Sequence, residues 1–510
     1  MFALKEKIGQ MMMVGFDGKT APPHILEWLA SGRIGGIYLF ARNIESPTQV
    51  KQLLDSCHAA AKYPLLAGID QEGGIVARLR DGFSESPGAM ALAATRDAQL
   101  AEDIAGMMGR ELAALGINWN FAPVADIAHH PDNPSVGTRS FGTDKQLVSD
   151  FVTAHIRGFQ GVGVAATVKH FPGLGNTIID THDALAKVSG SLDYLYETDL
   201  LPFRSALKAG VACVMTTHVM FEALDSDYPT TLSPIVINRL LRDELQYDGA
   251  VCTDCMEMKA VTDSWEAGES AVLAVLAGVD MPLFSHTRER QEAAYHALLE
   301  AVECGRIPIE RIDQSVARIQ ALKRQFEQKN PPPLSVIQSD AHQSLARKAA
   351  QAGTVLLKQG GAFPIQPDAS RIVSVEFATQ IVSDAVEAGS YSGFSQYMLE
   401  RIPRAECHII NPASDSAQSA VNKIVQGADI VIVATRNAHL PPQAQLAQSV
   451  IDLAETSILV CLRNPYDAAV LSAADAIICT NGDSRPSLQA AVEAICGDFT
   501  PTGELTVKIS

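Results

Sequence analysis

The stretch Lys169 to Asp183, KHFPGLGNTIIDTHD, runs from an apolar strand-like segment into a loop carrying Pro172, Gly173, Gly175 and Asn176. These residues favour irregular backbone. Asp180 and His182 stand one residue apart, and in extended backbone such neighbours project to the same side. A carboxylate on one imidazole nitrogen fixes tautomer and ring orientation, leaving the other nitrogen to move protons near neutral pH. Taken alone, an Asp-x-His pair is more often a simple loop hydrogen bond. GLGNTI is no dinucleotide fingerprint, because Ile178 occupies the place of the third glycine.

Three further segments carry polar groups at the ends of apolar runs. In GAVCTDCMEM (249–258) the aspartate is Asp254; Cys252 and Cys255 form a single CxxC, which without a second pair builds no four-ligand zinc site. In AGIDQEGGIVARL (67–79), Asp70 closes a strand and Arg78 follows a Gly-Gly turn. A carboxylate and a guanidinium there can bind sugar hydroxyls, or can pair with each other as a structural ion pair. PSVGTRSFG (134–142) lies in a long loop with Arg139 as its candidate, while the preceding His129 and His130 read as solvent-facing. His218, near Met215 and Thr217, is equally a wall residue or a ligand contact.

The elements that must position these groups alternate between apolar strands and amphipathic helices. Candidate strands are 8–16, 35–40, 65–70, 117–124, 164–171, 212–219, 249–255 and 278–283, the first being the least regular. Near-continuous apolar strands separated by helices indicate a parallel sheet covered on both faces. Eight such units predict an α/β fold of the (β/α)8 TIM-barrel type, with an open doubly wound sheet as the alternative. Asp70, Asp126, Lys169, His170, His218, Asp254 and Asp280 all fall where apolar runs end, the position of barrel chemistry. Asp126 and Asp280 read best as caps of the following helices.

A charged helical run, 310–329, ends at Asn330-Pro331-Pro332-Pro333, which cannot continue a helix and reads as a linker. The expected division is a barrel over 1–326, a linker over 327–345 and a smaller C-terminal α/β sandwich over 346–510. Strand-like runs recur in that last part: TVLLK, RIVSVEF, ECHIINP, ADIVIVATR, SILVCLRNP and ADAIICTN.

A chain of 510 residues, 47% hydrophobic and 19% charged, is built for large cores. Forty basic against fifty-eight acidic residues leave a formal net charge of −18, which disfavours nucleic acid and anionic membranes as partners. The longest apolar stretch, Ala271 to Val279, stops at Asp280, far short of a membrane span. MFALKEKIGQ lacks the pattern of a signal peptide, and nine scattered cysteines suit reduced core thiols, so a cytoplasmic location is expected. No cofactor or metal is expected, and oligomeric state is not legible.

Taken together, IDQEGG with Arg78, SVGTRSFG, KHFPGxG followed by D-T-H, and TDCMEM resemble glycoside hydrolase family 3 in its β-N-acetylglucosaminidase branch. The resemblance covers the barrel half and reaches the second half through LRNPYDAAVL and PTGELTVKI, with a looser match around CTNGDSRPS. It implies a retaining double displacement with Asp254 as nucleophile and His182, oriented by Asp180, as acid/base. Asp70, Arg78, Arg139, Lys169 and His170 match positions that hold the sugar, and the preference for GlcNAc comes from the resemblance alone. Leu174 replaces the usual His and Ala186 a common Pro, which implies altered loop packing or aglycone preference. The expected activity is removal of terminal β-GlcNAc, from cell-wall fragments in recycling. The competing readings are a phosphorylase using the same glycosyl-enzyme, a silent sugar-binding barrel, and a metal-dependent hydrolase using His170, His182 and His218.

Overall fold

A computed structural model of the chain describes residues 2–188, 190–361, 363–365, 371–378, 393–440 and 443–509. Eight short strands, β1 (Met13–Gly15), β2 (Gly36–Leu39), β3 (Leu66–Ile69), β4 (Trp119–Asn120), β5 (Ala165–Phe171), β6 (Cys213–Thr216), β7 (Ala250–Cys255) and β8 (Met281–Phe284), pair in that order. All pairs are parallel and β8 closes onto β1, giving a barrel with no free edge. Every residue of these strands is buried except Asp254, which is partly exposed. The strands carry apolar side chains inward and outward, because helices cover the outside and side-chain layers fill the inside.

Three sequence expectations shift. The run 8–16 is not one strand: Leu4–Met11 is a helix, and only Met13–Gly15 joins the barrel. An apolar run by itself does not separate a buried helix from a strand. Gly9 is needed there, since a Cβ would meet the Gly32 carbonyl oxygen at 2.2 Å. Strand 117–124 shrinks to two residues, in a segment where Pro123 has no N–H to extend the ladder.

The third shift concerns Asp280, which precedes β8 and so lies at the opposite end of the barrel from the strand tips. It caps no helix. Its carboxylate is fully buried, with Arg242 at 2.7 Å, Arg311 at 3.2 Å, the Ser315 hydroxyl at 2.7 Å and the Val251 N–H at 3.1 Å. Removing one partner of such a cluster strands the others. Asp280→Ala is therefore expected to destabilise the fold by about 3–5 kcal/mol in urea titrations.

The second half forms a six-stranded sheet: β9 (Val355–Lys358), β10 (Ile372–Phe377), β11 (Glu406–Ile410), β12 (Ile430–Thr435), β13 (Ser457–Cys461) and β14 (Ala476–Cys479). The order is β9-β14-β13-β12-β10-β11, parallel except for β9. Alternate residues serve opposite faces. Val373, Val375, Val431 and Val433 enter one apolar cluster, and Ile372, Ile430 and Ile432 the other. The helix Asp340–Gly353 joins the halves: Ala346 and Ala349 pack into the barrel core, and Gly353 lies so close to Ala91 that a Cβ would meet its oxygen at 2.2 Å. Among the described residues, no helix is long and apolar enough to cross a membrane.

Candidate active site

Loops from the carboxyl ends of the barrel strands wall a cavity of about 380 Å3, lined by Asp70, Arg78, Arg139, Lys169, His170, His182 and Asp254 among others. Asp70 follows directly on β3. Its Oδ1 accepts from Lys169 Nζ at 2.8 Å, its Oδ2 from Arg78 Nη2 at 3.2 Å, and the Tyr38 hydroxyl also donates to it. Burial alone would raise this carboxyl, but Lys169 and Arg78 outweigh it and hold Asp70 far below the ordinary range. The ion pair with Arg78 and a sugar-binding role are thus compatible, because both groups face the cavity.

Glu72, absent from the sequence candidates, is the second anchor. Arg139 grips it through Nε at 2.8 Å and Nη2 at 2.7 Å, and Lys169 Nζ lies 2.6 Å away. Burial is again outweighed by Arg139 and Lys169, and the Glu72 carboxyl falls to about 2. Lys169 therefore bridges two carboxylates and stays an ammonium, their charges more than offsetting its burial. Gln71, between the two acids, accepts the Arg78 N–H at 2.9 Å and the Leu79 N–H at 3.0 Å, which closes the turn that aims Arg78 inward.

Asp126 is not a helix cap. It lies 2.6 Å from His170 Nδ1 and accepts the Leu174 N–H at 2.7 Å, so it orients the imidazole and pins the start of the next loop. His170 Nε2 then stands 3.4 Å from Arg139 Nη2.

Asp254 sits one residue before the end of β7, and its Oδ1 accepts the adjacent Cys255 N–H at 2.7 Å. Burial opposes its ionisation. The imidazoles that face it, His170 foremost, and the Lys169 ammonium outweigh that and lower its carboxyl. His182 lies on the loop that follows β5. Its Nδ1 is 2.7 Å from Asp180 Oδ1, and its N–H donates to the same oxygen at 3.0 Å. Burial would lower the imidazole, but the Asp180 hydrogen bond and the Asp254 charge raise it. With Nδ1 committed, Nε2 is the nitrogen left to exchange protons. Asp254 and His182 line one cavity, so the strand tip and the loop meet.

The loop is held by the segment after β4. Asn133 Nδ2 donates to the carbonyls of Leu174 and Gly175 at 3.1 and 3.2 Å, and His130 Nε2 is 2.9 Å from Asn176 Oδ1. Gly175 admits no side chain, since a Cβ would fall 1.8 Å from the Ile127 oxygen. Leu174 is buried in the cavity wall, and Ala186 is buried in a two-residue strand paired with Val219–Met220.

Two placements correct the sequence reading. His218 is fully buried and does not line the cavity; Thr231 Oγ1 and the Cys255 carbonyl, at 2.9 and 3.0 Å, occupy both of its nitrogens. It supports the backbone beside Asp254 and has no nitrogen left for a ligand. His129 is half-buried, with Nε2 2.5 Å from Asp199 and Nδ1 3.1 Å from the Tyr194 hydroxyl, whereas His130 is exposed. Among the described residues, no group of three or more His, Cys, Asp or Glu side chains is arranged to hold a metal ion.

The family model described as the glycosyl hydrolase family 3 N terminal domain matches residues 3–322. Beta-hexosaminidase A from Pseudoalteromonas piscicida is 30% identical, with 96% of this chain and 92% of that protein covered. A beta-hexosaminidase from Stenotrophomonas maltophilia (strain R551-3) is 37% identical over 56% of this chain and 87% of its own length. A glycoside hydrolase family 3 beta-N-acetylglucosaminidase from Paenibacillus sp. str. FPU-7 superposes with a TM-score of 0.95 at 36% identity, covering 100% of this chain and 99% of that one.

Proposed function

The chain belongs to glycosyl hydrolase family 3 and is a glycoside hydrolase, and from that premise we propose that it removes terminal β-linked N-acetylglucosamine by a retaining double displacement. The observation that carries this reading is the pairing, across one cavity, of an ionised Asp254 with an imidazole whose Nδ1 is fixed by Asp180. In the first step Asp254 attacks the anomeric carbon while His182 Nε2–H protonates the departing glycosidic oxygen. The aglycone leaves and a glycosyl-enzyme remains on Asp254. In the second step His182, now neutral, takes a proton from water, which attacks the same carbon and frees the sugar and the carboxylate.

Asp70, Arg78, Arg139, Lys169 and His170 hold the ring hydroxyls, with donors and acceptors already fixed by one another before the sugar arrives. The choice of GlcNAc over glucose rests on the names of the relatives that match along most of the chain. We assign the substrate to soluble peptidoglycan fragments and the enzyme to the cytoplasm. All nine cysteines are free thiols, the state a reducing compartment maintains. In this reading residues 1–326 are the catalytic unit, 327–345 the connection and 346–510 the accompanying sandwich.

Incubation with chromogenic β-GlcNAc and β-glucoside, with and without inorganic phosphate, tests sugar and acceptor together. We expect the β-GlcNAc to be cleaved at least about a hundredfold faster, at a rate indifferent to phosphate, with β-GlcNAc as the first-formed anomer. GlcNAc-1-phosphate as product would replace hydrolysis with phosphorolysis. Sugar binding without turnover would reduce the protein to a silent barrel.

A further inference from the structure

The loops that bring Arg78 and Arg139 to the cavity are both gripped by the α/β sandwich. The segment after β3, which carries Arg78, meets it at Arg485. That guanidinium pairs with Asp81 and, through Nε at 3.2 Å, with Glu85. Glu85 is buried and faces Arg80 at 3.5 Å, and Arg80 Nη2 donates to the carbonyls of Gly74 and Ile75 at 3.1 and 3.0 Å, in the turn that leads to Arg78. Backbone contact is equally close, because a Cβ on Gly482 would meet the Pro87 oxygen at 2.5 Å.

The segment after β4, which carries Arg139, meets the sandwich at two places. Thr143 donates its N–H to the Thr506 carbonyl at 2.9 Å, and Gly142 lies so near that a Cβ would sit 2.6 Å from the same oxygen. Val507 packs with Met90 and Ala128. Residues 131–134 and 136–138 then face Asn437, His439, Arg463 and Asn464 across a gap of about 70 Å3. Arg139 Nη1 donates to the Ser135 carbonyl at 2.7 Å, so a shift of this segment moves the guanidinium.

One sandwich side chain takes part in both grips. Arg463 follows β13 and lines the gap against the Arg139 segment. Its Nε and Nη2 lie 3.1 and 2.6 Å from Asp483 Oδ2, and Asp483 stands two residues before Arg485. Arg436 completes the support, with Nε 3.1 Å from Asp483 and Nη2 2.9 Å from Glu376. These groups stand at the carboxyl ends of the sandwich strands, and that face is turned toward the barrel mouth. The loop carrying His182 is held by Asn133 and His130, which belong to the Arg139-bearing segment and not to the segment that Arg485 grips.

We infer that the sandwich is a positioning element for substrate binding: Arg485, braced through Asp483 and Arg463, sets the loop that presents Arg78, and the same face sets the loop that presents Arg139. This rests on the glycosidase reading of the cavity. The positioning residues touch no substrate, and they act by keeping two guanidinium groups within reach of the sugar; the nucleophile stands apart on β7, and the acid/base loop is tied to the Arg139 segment, which Arg485 does not grip.

The test is Arg485→Ala in the full chain, with Arg485→Lys as the conservative variant and the exposed Asp81→Asn as a second, milder lesion. We expect Arg485→Ala to lower kcat/KM by about ten- to a hundredfold. KM and the inhibition constant of free GlcNAc should rise together, the pH profile should stay unchanged, and Arg485→Lys should recover most of the loss. Amide exchange over residues 74–88 should quicken in the alanine variant, and to a lesser degree in Asp81→Asn. A lowered Tm with unchanged KM, or unchanged exchange over 74–88, would overturn the inference and leave Arg485 a purely structural contact. The exchange measurement needs no substrate, so it decides the point even if the wild type fails to cleave β-GlcNAc, an outcome that would instead remove the proposed activity.

Discussion

Asp254→Asn is expected to reduce kcat on an aryl β-GlcNAc by roughly four to six orders of magnitude, the scale seen when a nucleophile is lost from an otherwise intact site. The expectation comes from elimination among the acids of the cavity. Asp70 is occupied by Lys169, Arg78 and Tyr38, and Glu72 by Arg139 and Lys169. Glu257 accepts the His286 and Thr287 N–H groups at 2.5 and 2.9 Å. Asp254 takes one short bond from its neighbour, at Oδ1, and its Oδ2 has no hydrogen-bond partner among the described residues. It is also the one residue of the eight barrel strands that is partly exposed, the others being buried. An amide keeps the shape and the Cys255 contact but cannot form a glycosyl ester, so substrate should still bind. Retention of even a tenth of wild-type kcat in rigorously purified protein would assign the displacement to another group.

The sequence exposed Asp254, Asp180 and His182 because each stands at a break in pattern: an acid at the end of an apolar run, or a polar pair in a glycine-rich loop. Glu72 carried no such signal. It looks like an ordinary turn residue two places after Asp70, and its partner Arg139 lies 67 residues away, a pairing that only the closed barrel creates. Asp280 was misplaced for a different reason. A fully buried strand has no alternation, so GVDMPL gives no phase, and an acid at the strand's entrance looks like one at its exit. His218 shows the limit for a single side chain. Its strand-end position is legible, but Thr231 and the Cys255 carbonyl, which occupy its nitrogens, come from other segments. The sandwich strands were readable because each is a compact apolar run between polar breaks. What the sequence left dark is that their carboxyl ends face the barrel's own loops, since such long-range contacts leave no local trace.

The loop imidazole makes the second large prediction, and its sign follows from the charges around it. In the proposed mechanism His182 is protonated when the aglycone leaves, so activity should fall as pH rises through its folded pKa. Burial would pull that pKa down, but the Asp180 hydrogen bond and the Asp254 charge push it up. The alkaline limb of kcat/KM should therefore lie above the point expected for a free imidazole. The acid limb, set by ionisation of Asp254, should lie below the ordinary carboxylate range. Asp180→Asn removes a raising influence and leaves burial in place, so the alkaline limb should move to lower pH while the acid limb stays. His182→Ala should cost about 10²- to 10⁴-fold on substrates whose leaving group needs a proton. The loss in the first step should be far smaller for a dinitrophenyl glycoside, whose phenolate departs unassisted. Its second step, deprived of a base, should then recover with azide, which attacks the glycosyl-enzyme without giving up a proton and yields the β-azide. An alkaline limb that stays put in Asp180→Asn, or an equal loss for both leaving groups in His182→Ala, would mean that this imidazole does not carry the proton. The pairing of Asp254 with His182 would then be a contact between neighbours and not the acid–nucleophile couple of the reaction.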